Sequence, residues 1–373
     1  MDTIPTFREW SGRTIQDRVG LVNLQVYNSL RPEVESMAHQ MLDEAGCPSG
    51  DPVKAAAALF WGFRNRYRYL HDPWELDLFS NAYRAWLVGG GSPDGDLSSG
   101  GVWFEDCDGA DICLLALAFA TMHRTGIQRV GSKVIGPARE PVHIYAGIDV
   151  GGRIIYLDPT VASFGPGNQA PERYQRYKRF FLFDVEEAQR AAAKHAPSLS
   201  ALGDVFQAPT LQDVDRSSPR NRVDGLVRRV YRSLRDPVTR ISAITMLREA
   251  GCPARDDFCD AAAILNGVQK RYRSTGPIGG SVRTLGQFAD AIVNDSAQAL
   301  AGDDDDVAMA VCALTLSIGF RSGVRVLPNG QMISIVQMPR AIKGPHRALD
   351  LRLDTDRPVY GSGGTLKWYQ ERH

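Results

Sequence analysis

The chain has 373 residues, and its 43 basic and 43 acidic side chains cancel to a formal net charge of zero. That balance argues against a polyanion-binding surface, so nucleic acid is not expected as the main partner. The length is long for one hydrophobic core and comfortable for two domains. Met1–Thr6 shows no basic region leading into an apolar run. Cytoplasmic synthesis without a signal peptide is therefore expected. The strongest apolar run, Leu114 to Met122, is too short to span a bilayer, and no membrane partner is expected. The six cysteines (47, 107, 113, 252, 259 and 312) form no C-x-x-C pair and read as reduced thiols, mostly small buried hydrophobes.

In chain order, helical periodicity runs over 12–45 with an interruption at Pro32, and Glu44-Ala45-Gly46-Cys47-Pro48 reads as a helix stop and turn. A second helical stretch begins near Pro52, breaks at Tyr69–Glu75, and is followed by a short helix over Phe79–Leu87. Val88–Gly101 is rich in glycine and serine and predicts a mobile approach to Cys107. An apolar helix starts at or just after that cysteine, with Ile112, Leu115, Phe119 and Met122 on one stripe and an end near Thr125-Gly126. Strands are predicted at 128–135, 142–150 and 153–157, with Gly151-Gly152 as a hairpin turn. Helices followed by antiparallel strands make an α+β pattern. Residues 163–215 read as a connector. In it the basic, aromatic segment Tyr174–Phe181 is expected to act as a docking arm, and Val185–His195 as a short helix.

The second half repeats the first. Val26-Tyr27-Asn28-Ser29-Leu30-Arg31 returns as Val230-Tyr231-Arg232-Ser233-Leu234-Arg235, and Glu44–Pro48 returns as Glu249–Pro253. Arg66-Tyr67-Arg68 returns as Arg271-Tyr272-Arg273, Arg124–Ile127 as Arg321–Val324, and Leu157-Asp158 as Leu349-Asp350. Ordered matches with slowly drifting offsets indicate two homologous domains. In the second, Asp304 stands where the first has Cys107, and the strand Ile333–Val336 carries no histidine. The second copy cannot run a cysteine reaction. The run Asp303–Asp306 reads as carboxylates complementing a helix dipole, ahead of a divalent-metal site.

A thiol at a helix start faces unpaired amides and the positive end of the dipole, both of which favour the thiolate. Glu105, Asp106, Asp108 and Asp111 oppose that with negative charge. A thiol nucleophile needs a base, and the base an orienting group. Of seven histidines only His143 lies in a strand-like run after the cysteine helix, and an antiparallel neighbour can bring Asp158 beside it. His123 reads as an exposed residue near a helix end, and Cys113 as core.

Three features together resemble the transglutaminase-like superfamily, whose core is related to papain-like cysteine proteases. They are Cys107-Asp108-Gly109 opening an apolar helix that ends in Arg124–Ile127, His143 within a strand, and Leu157-Asp158-Pro159-Thr160 closing the next. Tyr67–Pro73 is similar to small microbial and tailed-phage members. The resemblance implies two tandem domains of this type, at 12–162 and, degenerate, at 216–360. It also implies Cys107 as nucleophile, His143 as general base and acid, Asp158 as the group orienting His143, and Trp103 walling the acyl site, with a partly buried loop anchor as the other reading of Trp103. No cofactor and no metal is called for. The implied activity is a cysteine-dependent hydrolase or acyltransferase on amide or isopeptide bonds of protein or peptidoglycan. The alternative is a structural or adaptor component of a phage virion, partnered by other virion proteins, with an idle site.

Overall fold

The computed structural model describes residues 14–73, 79–136, 143–161, 177–191, 218–234, 237–253, 256–274, 300–302, 304–327, 330–337, 348–354 and 357–363. The chain divides into two compact units, one of Met1–Leu70 with Leu76–Phe206 and one of His71–Glu75 with Gln207–His373. Both mix helix and sheet, as the α+β pattern requires.

Unit 1 begins with α1 (Ile15–Asn28), α2 (Pro32–Glu44) and α3 (Pro52–Arg64). Thr14 and Asp17 form a capping box at the start of α1, and Pro32 and Pro52 occupy first-turn positions where a missing N–H costs nothing. A short parallel pair, β1 (Tyr67–Tyr69) and β2 (Trp103–Glu105), brackets α4 (Ala82–Val88) and the glycine-rich stretch. Then come α5 (Cys107–Ala120), α6 (Met122–Thr125), β3 (Arg129–Gly136), β4 (His143–Val150), β5 (Arg153–Leu157) and β6 (Tyr177–Leu182), followed by helix α7 over residues 185–191. The sheet order is β5-β4-β3-β6, all antiparallel.

Three expectations change here. The stretch read as a connector supplies β6, which pairs along β3 from Gly131↔Leu182 to Gly136↔Tyr177, so part of the supposed docking arm is a sheet strand. Helix α5 is not one apolar stripe: every residue from Asp108 to Ala118 is buried, because α1, α2, α3 and the sheet pack around it. The glycine-rich approach is a packed loop. Gln40 of α2 clamps it through the Gly95 carbonyl (2.9 Å) and the Leu97 amide (3.0 Å), and Trp86 Nε1 donates to the Ser92 carbonyl (3.0 Å). A Cβ on Gly91 would lie 1.9 Å from the Trp86 ring, so glycine is there for close approach.

Unit 2 repeats the plan with α8 (Pro219–Leu234), α9 (Pro237–Ala250), α10 (Asp257–Arg271), the parallel pair β7 (Tyr272–Ser274) and β8 (Leu300–Gly302), then α11 (Asp304–Ser317). Its sheet holds β9 (Arg321–Val326), β10 (Met332–Gln337), β11 (Ala348–Asp354) and β12 (Arg357–Gly363) in the order β12-β11-β10-β9. The added fourth strand therefore flanks β11, whereas in unit 1 it flanks β3.

Side chains repeat as well as elements. Arg66 bonds Glu44 and the Gly62 carbonyl, and Arg271 bonds Glu249 and the Gly267 carbonyl. Arg18 pairs with Asp108 at 3.5 Å, and Arg222 pairs with Asp305. One sequence match fails. Arg124-Thr125-Gly126 closes α6 with Gly126 in the left-handed region, whereas Arg321–Val324 lies inside β9. Sheet register supplies the equivalence instead: Ser132 pairs with Ala146, which pairs with Leu157, and Ser322 pairs with Val336, which pairs with Leu349. Between α11 and β9 the described residues contain no counterpart of α6.

The reading of six reduced thiols is also corrected. Cys252 and Cys259 form a disulfide with a Cα–Cα distance of 5.6 Å. The turn after α9 folds back onto the first turn of α10 and brings together two cysteines seven positions apart, a proximity their spacing does not announce. Cys47 holds the first of these positions in unit 1, but Lys54 holds the second.

Candidate active site

Strand β2 runs directly into α5, so the β1–β2 pairing fixes where the helix starts. Asp106 is the N-cap, its carboxylate accepting from the Asp108 (3.0 Å) and Gly109 (3.4 Å) amides. Glycine at 109 permits a close approach, since a Cβ there would lie 2.8 Å from the Glu105 Cβ. Cys107 is the first helical residue, and its partly buried Sγ hydrogen-bonds Asp108 Oδ1 at 3.0 Å.

The electrostatic balance at the thiol reverses the helix-start expectation. Burial, then the charges of Asp108 and Asp106, push the Cys107 thiol well above its ordinary range; a bond from the Ile144 amide works the other way. The first-turn amides that a thiolate would have used are already bound by Asp106. The resting group is a neutral thiol, and any nucleophilic role requires a base.

On the sheet packed against α5, His143 opens β4, one residue before Ile144, whose amide favours the Cys107 thiolate. His143 Nε2 lies 2.7 Å from Asp158 Oδ2. Asp158 follows the last residue of β5 and is buried, and its other oxygen accepts from Thr160 Oγ1 (2.6 Å) and the Thr160 amide (3.0 Å). The carboxylate is thus held on one side by a turn and presents the other to the imidazole. With Nε2 engaged, Nδ1 is the ring nitrogen left to exchange a proton. His143 and Asp158 thus meet at one end of β4 and β5, and Cys107 opens α5, which packs on β4; among the described residues no hydrogen bond joins Cys107 to His143. The thiol's hydrogen bond in this state goes to Asp108.

Trp103 is not part of this site. It is fully buried, its Nε1 donates to the Ala82 carbonyl at 3.1 Å, and it packs on Trp86 and Phe63 with ring centroids 4.6 and 5.1 Å apart. Being in β2, it faces the core under α4 instead of an opening. His123 is exposed and Cys113 buried, as expected.

Two contributors were not read from sequence. Arg18, ninety positions from Asp108, offsets the acidity below the thiol; its repeat as Arg222–Asp305 is a signal the two copies carried. Thr160 was legible locally, since Asp-Pro-Thr favours a turn in which the aspartate accepts from the residue two on. Donor atoms of Asp106, Cys107 and Asp108 lie within 4.8 Å of one another, but Asp106 serves the helix amides and Asp108 serves Arg18, so they suit capping better than metal binding. Asp305 in unit 2 is likewise committed to Arg222.

Deeper on α5, fully buried Asp111 accepts from Ser132 Oγ at 2.7 Å. Burial first, and then Asp108 and Asp158, raise its carboxyl well above the usual range, with the Ser132 bond opposing. The folded state therefore holds this proton more tightly than the unfolded chain. That contribution is complete below the ordinary carboxylate range and is lost as pH rises through the raised value. Ser132→Ala, which strands the acid, is expected to lower stability by about 1–3 kcal/mol in urea denaturation.

Compared with protein-family models, curated proteins and solved structures, the chain matches none. Among the described residues no helix is long and apolar enough to cross a membrane.

Proposed function

We propose that unit 1 is a cysteine-dependent acyl-transfer domain of transglutaminase-like type, acting as a hydrolase or acyltransferase on amide or isopeptide bonds of protein or peptidoglycan. The observation that carries this reading is the His143–Asp158 contact at 2.7 Å through Nε2, on the sheet that packs against the helix opened by Cys107. In the proposed reaction Nδ1 of His143 takes the thiol proton as Sγ attacks the carbonyl carbon. The same proton passes to the departing amine, leaving a thioester on Cys107. Water or a second amine then gives up a proton to His143, attacks the thioester and regenerates the thiol. The Cys107 backbone amide is the proposed oxyanion donor.

A second reading, a scaffold that keeps the fold and not the reaction, is favoured by unit 2. There Asp304 and Ile333 occupy the positions of Cys107 and His143, yet the helix, sheet and buried Arg–Asp pair persist. A virion component is the form of scaffold proposed. The two are separated by mixing the chain with an activated ester such as p-nitrophenyl acetate and locating the acyl group by mass. The enzyme reading expects a single acyl adduct on Cys107, absent in Cys107→Ser. Acylation spread over lysines, with none on Cys107, would favour the scaffold.

A further inference from the structure

On the face of α2 away from its buried side, Glu35 and His39 are four positions apart and so project together. α6, the short helix with no counterpart among the described residues of unit 2, sets His123 above them. One ligand atom from each of the three lies within 4.8 Å of the others, and His123 Nε2 is 4.0 Å from Glu35 Oε1. The two imidazoles meet edge to face with centroids 5.8 Å apart.

We propose that Glu35, His39 and His123 form a divalent transition-metal site, with zinc as the best-suited ion. Two imidazoles and one carboxylate are a donor set such ions take, leaving a fourth position for water or another ligand. Zinc bonds of about 2.0–2.2 Å bring donors to within roughly 3.4 Å of each other. The observed separations close to that by rotation of Glu35 and His123, both well exposed.

Two further observations point to a ligand. His39 Nε2 is shielded from solvent and has no hydrogen-bond partner, an arrangement native structures seldom leave without a use. And α6 is held in position: Arg124 pairs with Asp43 one turn along α2, while the Arg124 carbonyl accepts from Ser49 Oγ (3.0 Å) and the Gly50 amide (2.9 Å). The Arg124 charge, which would repel a cation, is matched by Asp43. In the second copy Arg240 stands at the position of Glu35 and Ile244 at that of His39, so the arrangement belongs to unit 1 alone. The site lies apart from the cysteine chemistry and does not depend on it.

The test is calorimetric titration of the metal-free full chain with zinc chloride. One equivalent is expected to bind, with affinity falling at least about tenfold in His123→Ala and in Glu35→Gln and unchanged in Cys107→Ser. Because His123 is exposed, its removal leaves the fold intact. As a second readout, zinc is expected to protect His123 from carbethoxylation by diethyl pyrocarbonate. The proposal is overturned if no zinc binds, if His123→Ala binds as tightly as the native chain, or if Cys107→Ser is the variant that loses the ion.

Discussion

Replacing His143 with alanine is expected to slow acylation of Cys107 by an activated ester by about 10²–10⁴-fold at neutral pH, the usual worth of a positioned general base. The reason lies in the thiol. Burial, Asp108 and Asp106 hold its proton well above the ordinary thiol range, so at neutral pH almost no thiolate exists unless His143 takes the proton. The variant should also change its pH dependence. Without the base the reaction follows the thiolate fraction, which rises about tenfold per pH unit until the raised thiol range is reached. In the native chain, where a base takes the proton, the rate should depend less steeply on pH. Asp158→Asn keeps a hydrogen-bonding group of the same shape but offers the imidazole an amide in place of a charge, and it should fall in the same direction. Stopped-flow release of p-nitrophenolate measures both effects. A His143→Ala rate within twofold of the native value would remove His143 from the mechanism.

The second large effect concerns stability. Trp103→Ala is expected to destabilise unit 1 by about 3–5 kcal/mol, because it empties a fully enclosed aromatic site. Trp103 fills the space between Trp86, Phe63 and the start of α4, and its indole N–H satisfies the Ala82 carbonyl. Trp103→Phe keeps most of the volume and should cost much less. Urea denaturation followed by circular dichroism checks the order. Were Trp103 a wall of the acyl site, Trp103→Phe would alter acyl transfer while Trp103→Ala left the unfolding midpoint in place.

What could be read from the sequence divides along physical lines. Local signals carried well: Pro32 and Pro52 mark helix starts, Gly151-Gly152 makes the hairpin turn, and the β4–β5 pairing follows from that turn and brings His143 to Asp158. Features set by distant partners were misread. Trp103 sits four residues before Cys107, yet β2 turns its side chain to the core. The glycines at 91 and 101 read as flexibility, but Trp86 needs their lack of side chains in order to pack, and Gly89 lies against the Val102 carbonyl. β6 pairs with β3 across more than forty residues, and the Cys252–Cys259 contact depends on how two helices meet. The thiol's environment was half legible. The helix start argued for a thiolate, but Asp106 consumes the amides that would have supported it. The duplication also helps separate architecture from chemistry. Arg18–Asp108 and Arg66–Glu44 recur in unit 2 and so belong to the fold, whereas Cys107 and His143 do not recur.

The central claim is that His143, supported by Asp158, activates Cys107. Its most direct test requires no substrate: limited iodoacetamide treatment of the full chain at neutral pH, with labelled cysteines quantified by peptide mass. Cys113 and Cys312 are buried, so Cys47 and Cys107, both partly exposed, compete for the reagent. Burial and Asp51 raise the Cys47 thiol, but Cys107 is shifted further and faces two carboxylates, so without assistance Cys47 should react first. The prediction is the reverse order, Cys107 ahead of Cys47, with the preference lost in His143→Ala. Labelling of Cys47 first in the native chain, or a Cys107 preference that survives removal of His143, would contradict it.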